Sequence, residues 1–424
     1  MADREKEPQG EAASVAKQLG PGLITGAADD DPSGIATYSQ AGAQFGYGLM
    51  WTMLLCYPLM SAVQLISAHI GRVTGRGLAA NMVRVMPRFL VWLLVAMLFI
   101  ANTINIGADL SAMGAAAQMV AGGGTHWYTI GLALLSLVLQ VFIPYSRYSR
   151  VLKWLTLSLL AYAAVAIVVK VDWSAAGLGL VTPKIEGKGA ITTIVALFGT
   201  TISPYLFFWQ TAQEVEEIED DPKAEPLKDA PEQAPKEMRR MRIDTLVGMG
   251  FSNLIALAII VATAATLHAS GKTEIASAAE AAEALKPVAG NFAFALFAMG
   301  IIGTGLLAVP VLAGSAAFAV GDSCGWKCGL EHKVQEARGF YAVIAAATLL
   351  GIGFTWSGIP PITALFWSAV INGFAAVPIM AVMMVMAVSR RTMGEFRAST
   401  LLLVLGWAGT AVMAIAAAAM LIWQ

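Results

Sequence analysis

Residues 20–34 read Gly-Pro-Gly-Leu-Ile-Thr-Gly-Ala-Ala-Asp-Asp-Asp-Pro-Ser-Gly, and this stretch decides how the chain folds. Eight of its first nine residues are apolar or glycine, which favours a helix that starts in an apolar environment. Pro32 then removes a backbone donor and disfavours the helical conformation for Asp31, while Gly34 adds backbone freedom. The sequence therefore predicts a helix that breaks at residues 31–34, directly after three consecutive acids.

The rest of the chain is unusually apolar. Of its 424 residues, 57% are hydrophobic and 13% are charged, against about 25% charged in a soluble globular chain. A bilayer-spanning helix needs roughly 20 apolar residues, and the apolar blocks have no period-2 alternation. We therefore predict an all-α membrane protein. The predicted spans are 20–42, 46–70, 89–118, 126–144, 150–170, 190–215, 243–268, 290–320, 337–355, 359–388 and 400–423.

The basic residues predict the orientation of these spans. With residues 1–19 as a cytoplasmic tail, the outside segments hold five of the 27 Lys and Arg, and all others lie inside, as the positive-inside rule requires. Residues 1–19 lack a cleavable-leader pattern. Residues 216–242, with four prolines, predict a flexible cytoplasmic linker between 20–215 and 243–423; the alternative is a regulatory or partner-binding segment. The outside lysines are Lys170, Lys184, Lys188, Lys272 and Lys286.

An acid inside a span points to a cation route. A carboxylate at bilayer depth costs at least about 2.5 kcal/mol, so it usually faces a cavity or pathway. Unwound backbone is tolerated in a membrane only where protein or water covers it, and its free carbonyls are ready cation ligands. The alternative is that Asp29–Asp31 lie at the membrane surface and cap a second helix.

The sixth span carries a matching interruption at Thr200-Thr-Ile-Ser-Pro-Tyr205. By itself it is equally compatible with a proline kink. Spans one and six, however, are each the first of a five-span set, and interrupted helices at matching positions are typical of a transporter built from an inverted repeat.

At these residues the chain resembles the NRAMP family of divalent-metal transporters, over nearly its whole length. Gly20-Pro-Gly22 with Asp31-Pro-Ser-Gly34 resembles the family's Gly-Pro-Gly and Asp-Pro-Gly-Asn, and Ala41-Gly-Ala-Gln-Phe-Gly-Tyr47 resembles a family string. Gly71–Gly75, Arg242–Thr245 and Met393–Arg397 follow in family order. The resemblance implies a LeuT-type inverted repeat of two five-helix halves plus an eleventh helix, with helices one and six broken around a metal site.

The departures from the family pattern are informative. Gly34 stands where the family has a metal-binding Asn, and Ser203 stands where it has a Met. Tyr205 and Gln210 replace two His, while Thr103 and Ile106 align with acids of the family's proton route and Asp109 lies nearby. These changes resemble the prokaryotic NRAMP-related magnesium transporters. That resemblance implies transport of Mg²⁺ and Mn²⁺ without clear proton coupling.

The site predicted on this basis uses only oxygen. Oxygen ligands suit Mg²⁺ and Mn²⁺, and Mg²⁺ is often held by one or two carboxylates while it keeps several waters. The predicted metal site comprises the Asp31 carboxylate, backbone carbonyls near Ala28 and Thr200, the Ser203 hydroxyl, and room for water at Gly34. Asp30, Tyr205, Gln210, Asn105 and Asn372 are predicted around it. Asp30 is equally compatible with a helix-end charge in the cytoplasmic vestibule, and the two Asn with interhelical hydrogen bonds.

The leading functional hypothesis is a secondary carrier that moves Mg²⁺ and Mn²⁺ by alternating access. One alternative is a proton-coupled Mn²⁺/Fe²⁺ importer, and another is a carrier of an amino acid or organic cation on the same fold. No nucleophile–base pair or nucleotide motif indicates an enzyme or a cofactor, and a net charge of −1 gives no sign of a nucleic-acid partner. We expect a monomer in the prokaryotic cytoplasmic membrane.

Overall fold

The computed structural model describes residues 25–26, 28–143, 157–187, 189–330 and 332–423. Within these ranges the chain forms seventeen α-helices and no strand. They are α1 (Pro32–Phe45), α2 (Trp51–Thr74), α3 (Leu78–Val85), α4 (Arg88–Ala121), α5 (Thr125–Phe142), α6 (Leu160–Val168), α7 (Trp173–Val181), α8 (Ala190–Thr201), α9 (Pro204–Asp220), α10 (Ala234–Thr266), α11 (Ala278–Ala282), α12 (Lys286–Ala289), α13 (Ala293–Cys324), α14 (Arg338–Phe354), α15 (Pro361–Val388), α16 (Arg390–Met393) and α17 (Thr400–Trp423). Short 3₁₀ helices cover Leu157–Leu159, Pro231–Gln233, His268–Ser270, Glu283–Leu285 and Gly290–Phe292.

Both predicted helix breaks are present. Ala28 and Asp29 are helical, Asp31 is extended with φ −70° and ψ 170°, and α1 begins at Pro32. In the second break α8 ends at Thr201, Ser203 is extended with φ −80° and ψ 134°, and α9 begins at Pro204. In each case the residue before proline leaves the helical conformation, because the pyrrolidine ring would otherwise clash with it. The proline then occupies the first helical turn, where no backbone donor is needed.

Most of the predicted spans contain a long apolar helix. Eight segments of the described chain are long and apolar enough to cross a bilayer, and there are nine if the pair Leu157–Val168 and Trp173–Val181, bent by 119°, is counted as one span. α14 is a shorter apolar helix, and α1 is short because the break divides the first span. The prediction of an all-α membrane fold is confirmed. The tail 1–19 and the first residues of spans 20–42 and 150–170 lie outside the described residues.

The broken helices lie at the centre of the bundle. The apolar window of Ala190–Asp220 is 94% buried, whereas that of Thr400–Ile422 is 28% buried. α1 packs on α10, α8 on α15, and α9 on α2, while α4 and α13 pack along each other. Apolar side chains face outward on α17, as expected where a helix meets lipid. The two unwound segments are therefore shielded by protein on all sides, which is the condition for tolerating them in a membrane.

The segment 216–242 differs from the predicted flexible linker. α9 continues to Asp220 and α10 begins at Ala234, so only 221–233 connect them. The connection is attached to α2, since the Leu227 amide donates to the Arg72 carbonyl at 3.1 Å and the Leu227 side chain is fully buried.

Ion pairs hold the helical ends of this segment. Arg240 lies 2.5 Å from Glu214 and 2.8 Å from Glu217, and Arg72 lies 3.2 Å from Glu237. Some of the charges that resemble a solvated run in the sequence are thus paired across α2, α9 and α10. The cytoplasmic location of this segment and the other predicted boundaries remain predictions.

Candidate metal centre

Asp31 caps α1 while remaining buried. Its Oδ1 accepts hydrogen bonds of 2.7 Å from both the Gly34 amide and the Ser33 hydroxyl, and the residue is 1% exposed. Such capping satisfies a backbone donor that the helix start leaves free and favours the carboxylate at the positive end of the helix. Asp31 thus caps a helix, as the alternative reading expects, but it does so while buried inside the protein, and its depth in the bilayer stays a prediction.

Two further helices reach Asp31 through Asn105. The Asn105 Nδ2 of α4 donates to Asp31 Oδ2 at 3.1 Å, and the Ser368 hydroxyl of α15 donates to Asn105 Oδ1 at 2.7 Å. Asn105 was predicted near the metal, and Ser368 was not identified. These two hydrogen bonds in series hold the second carboxylate oxygen of Asp31 in one orientation, as side chains behind a metal ligand usually do.

The second break presents neutral oxygens. The Ser203 hydroxyl donates to the carbonyls of Gly199 at 2.7 Å and Thr200 at 2.9 Å, so it caps the end of α8. Its lone pairs and the second lone pair of each carbonyl stay available. The Thr200 Oγ1 is buried and has no hydrogen-bond partner among the residues that the structure describes. The predicted Thr200 and Ser203 donors therefore lie together at the break.

Hydrogen bonds join the first break to the second. The Tyr205 hydroxyl donates to the carbonyl of Ala28 at 3.2 Å, and the Thr25 hydroxyl donates to Gln210 Oε1 at 2.6 Å. The predicted ligand Ala28 and the predicted neighbours Tyr205 and Gln210 thus connect α9 to the helical residues before Asp31. Together these contacts show that residues far apart in the sequence assemble around both breaks.

The open space predicted at Gly34 is absent. A Cβ atom on Gly34 would lie 3.2 Å from Thr200 Oγ1 and 3.2 Å from the Tyr38 ring. Neighbouring side chains therefore fill the volume that the missing side chain vacates. The substitution lets α1 approach α8 closely, so in this conformation room for water at Gly34 is not present.

The remaining predicted residues differ in their surroundings. Asp30 Oδ1 lies 3.0 Å from the Ser252 hydroxyl of α10 and is buried, rather than facing an open vestibule. Asn372 is fully buried, and in the described part of the chain neither of its polar atoms has a hydrogen-bond partner. The interhelical hydrogen bond offered as an alternative for Asn372 is thus not formed there, whereas Asn105 does bridge helices.

Two groups near the breaks had no assigned role in the sequence analysis. Asp109 of α4 is fully buried, both of its oxygens lack a partner in the described chain, and its charged neighbour is Asp31. An acid in an otherwise acid-free stretch was the available signal. Cys56 places a sulfur in this region, but its thiol lies 2.9 Å from Thr201 Oγ1 and interacts there.

Charge is uncompensated around the breaks. Among the ion pairs of the described ranges, none involves the buried acids Asp29, Asp30, Asp31 and Asp109. Buried charges are stable only when paired, protonated or bound to a cation. In the same ranges no three His, Cys, Asp or Glu side chains form a metal cage. A centre with few carboxylates and several neutral oxygens suits a cation that keeps part of its water shell.

Known proteins share this sequence pattern and fold. The family model described as "Natural resistance-associated macrophage protein-like" (Nramp) matches residues 22–423. The divalent metal cation transporter MntH of Deinococcus radiodurans is 26% identical over 419 residues, covering 96% of this chain and 89% of that protein. MntH of Aeromonas hydrophila is 27% identical over 308 residues, covering 69% of this chain and 70% of that protein.

Solved structures agree on the fold. The manganese transporter of Eremococcus coleocola superposes with a TM-score of 0.74 at 16% identity, covering 97% of this chain and 87% of that one. MHP1, a nucleobase-cation-symport-1 family transporter, superposes with a TM-score of 0.55 at 13% identity, covering 95% and 92% of the two chains. Both have the LeuT-type fold, so the predicted architecture is confirmed.

Proposed function

The chain belongs to the Nramp family of divalent metal cation transporters, and from this premise we propose that it carries Mg²⁺ and Mn²⁺ across the membrane as partly hydrated ions. It is a multi-pass membrane protein whose relatives are transporters rather than enzymes. Its N-terminus would face the cytoplasm, and it would work as a monomer in the cell membrane. Alternating access would expose the site between the two breaks to each side in turn.

One observation carries the choice of metal. Asp31 supplies the proposed carboxylate ligand at the first break, and a hydroxyl, Ser203, occupies the position where the family has a thioether. Oxygen donors select hard cations, whereas sulfur favours softer transition metals. Mn²⁺ is accepted by oxygen sites, which is consistent with the manganese transporter among the structural neighbours.

The ion would bind through one direct charge and several neutral contacts. Asp31 supplies the charge, the carbonyls of Ala28 and Thr200 and the Ser203 hydroxyl supply neutral oxygens, and Asn105 keeps the carboxylate oriented. Two of these oxygens already accept hydrogen bonds, the Ala28 carbonyl from the Tyr205 hydroxyl and the Thr200 carbonyl from the Ser203 hydroxyl. Cation entry would replace the Tyr205 bond to Ala28, so metal binding and the separation of α9 from the first helix would be linked.

Uptake into proteoliposomes tests the proposal. Purified protein should accumulate Mg²⁺ and Mn²⁺, the two ions should compete, and Asp31→Ala should abolish both fluxes. The exposed acid Asp229 lies in the connection between α9 and α10, and Asp229→Asn is the matched control that should transport normally. Absence of Mg²⁺ flux in the wild-type protein, or full flux in Asp31→Ala, would contradict the proposal.

Asp109 favours a second candidate, a proton-coupled importer of Mn²⁺ or Fe²⁺. A fully buried carboxyl group without a hydrogen-bond partner near Asp31 is the kind of group that carries protons through membrane proteins. Proton coupling predicts that the vesicle interior acidifies during Mn²⁺ uptake and that Asp109→Asn abolishes this acidification. Mg²⁺ uptake without acidification, unchanged in Asp109→Asn, would favour uncoupled transport instead.

A further inference from the structure

Two carboxylates share a single hydroxyl beside the proposed transport site. The Ser252 Oγ of α10 lies 2.6 Å from Asp29 Oδ2 and 3.0 Å from Asp30 Oδ1. A serine hydroxyl has one proton and can donate it to only one acceptor at a time. At any moment at least one of the two carboxylates therefore lacks this donor, and either a proton on one carboxyl group or a cation that bridges the oxygens would offset its charge.

Burial makes this requirement stronger. Asp29 is 0% exposed and Asp30 is 2% exposed, and Asp29 Oδ1 has no hydrogen-bond partner in the described chain. The arginines of the ion-pair cluster are bound to Glu214, Glu217 and Glu237 and do not reach these acids. Two uncompensated carboxylates out of contact with water are costly, because neither solvent nor a basic side chain offsets their charge.

A third buried oxygen lies on α1. The Tyr38 side chain is 0% exposed, and within the described residues its hydroxyl has no hydrogen-bond partner. Among the charged groups, Asp29 and Asp30 interact most strongly with that hydroxyl. A buried hydroxyl without a partner beside two carboxylates is positioned as a neutral ligand, since an oxygen lone pair can bind a cation directly.

The backbone fixes this arrangement. Gly26 lies directly against Gly248 of α10, so closely that a Cβ atom on Gly26 would overlap the Gly248 carbonyl group. Asp29 and Asp30 lie about one turn after Gly26, and Ser252 lies one turn after Gly248. The glycine contact thus brings the two helical segments together at the level where the acids meet the serine.

We propose that a second hard divalent cation, Mg²⁺ or Mn²⁺, binds between Asp29, Asp30, Ser252 and Tyr38, next to the ion held by Asp31. All four groups offer oxygen, and the two carboxylates balance a charge of +2. The proposal rests on the proposed function, because it takes the transported ion as the ligand. It adds a neighbouring binding position through which the ion passes to or from Asp31.

Binding stoichiometry tests it without measuring transport. Purified wild-type protein should bind two Mn²⁺ per chain by equilibrium dialysis, and its electron paramagnetic resonance spectrum should show dipolar broadening between neighbouring ions. Asp29→Asn and Ser252→Ala should each bind one Mn²⁺ and lose the broadening. Thr266→Ala is the control on the same helix, since Thr266 bonds only its own helix at Ala262, and it should bind two.

Other outcomes overturn the proposal in distinguishable ways. In one such outcome the wild type and Asp29→Asn each bind one Mn²⁺, while an infrared band of a protonated carboxyl group, present in the wild type, disappears in the variant. That pair of results would show that the two acids share a proton instead of a cation. Two Mn²⁺ in every variant would place the second ion elsewhere. If the wild type binds one Mn²⁺ and Asp31→Ala binds none, the second site is refuted and the proposed function stands. If the wild type binds no Mn²⁺, both the second site and the proposed function are refuted.

Discussion

Removing the Asn105 side chain tests whether the orientation of Asp31 matters for metal binding. Asn105→Ala deletes the 3.1 Å bond to Asp31 Oδ2 and the 2.7 Å bond from Ser368. Ser368 retains a bond to the Leu365 carbonyl of its own helix, so it is not left without a partner. The carboxylate keeps its contacts with the Gly34 amide and Ser33 on Oδ1, but Oδ2 becomes free to rotate away.

The size of the effect follows from these contacts. A hydrogen bond to a charged group contributes about 1.5–3 kcal/mol, and two of the three donors to Asp31 remain. We therefore expect Asn105→Ala to reduce the free energy of Mg²⁺ binding by about 1.5 kcal/mol, the lower end of this range, which weakens binding roughly tenfold. Side chains behind metal ligands generally show losses of about 10–100-fold, so the estimate is consistent with known sites.

Isothermal titration calorimetry of the purified protein with Mg²⁺ measures the change. Thr103→Ala is the matched control, because Thr103 lies on the same helix and bonds only the Phe99 carbonyl of its own turn. Ser368→Ala should weaken binding less than Asn105→Ala, and the double variant should be no weaker than Asn105→Ala alone, because Ser368 acts through Asn105. Unchanged Mg²⁺ affinity in Asn105→Ala would refute the reasoning, and so would an equal loss in Thr103→Ala.

Three further changes probe the selectivity and the architecture. Ser203→Met introduces the family's thioether, and because sulfur favours softer ions it should lower Mg²⁺ uptake and make Fe²⁺ a stronger competitor of Mn²⁺ flux. Unaltered competition would show that this position does not select the metal. Cys56→Ser should leave the metal preference unchanged, because the thiol contacts Thr201 and is not proposed as a ligand. A shift toward harder ions in the same competition assay would assign Cys56 to the metal site. Arg240→Ala leaves the buried Glu214 without its ion pair, while Glu237 keeps Arg72, and it should cost about 3 kcal/mol, seen as a lower thermal unfolding temperature. Lys236→Ala, at an 88% exposed side chain, should have little effect.

Local chemistry made much of the fold predictable. Proline at positions 32 and 204 begins a helix, and the residue before each is extended. Pro58, Pro310 and Pro378, by contrast, lie inside continuous helices. Both breaks could therefore be placed only because each proline follows a polar stretch at a matching position of the two halves. Span number follows from apolar length, which is equally local. The resemblance to a transporter family then supplied the arrangement of the spans, which periodicity alone does not contain.

The segment 216–242 and the surroundings of Gly34 differ from what the sequence suggested. Whether a charged residue is solvated depends on its partner, and Arg240 finds its partners on α9, more than twenty residues earlier in the chain. The space beside Gly34 depends on Tyr38, one turn later on the same helix, and on Thr200, which comes from a distant helix. The contact with Thr200 is the one that no local stretch specifies.

The sequence alone determined that this protein is an all-helical membrane protein with two interrupted helices and an acid at the first interruption. Those features come from backbone restriction at proline and from the cost of exposing polar groups to lipid, both of which act on short stretches. Only the tertiary structure decided that Asn105 and Ser368 hold Asp31, and that Ser252 lies between Asp29 and Asp30. Hydrogen bonds extend only about 3 Å, so contacts between helices depend on packing that no single stretch specifies.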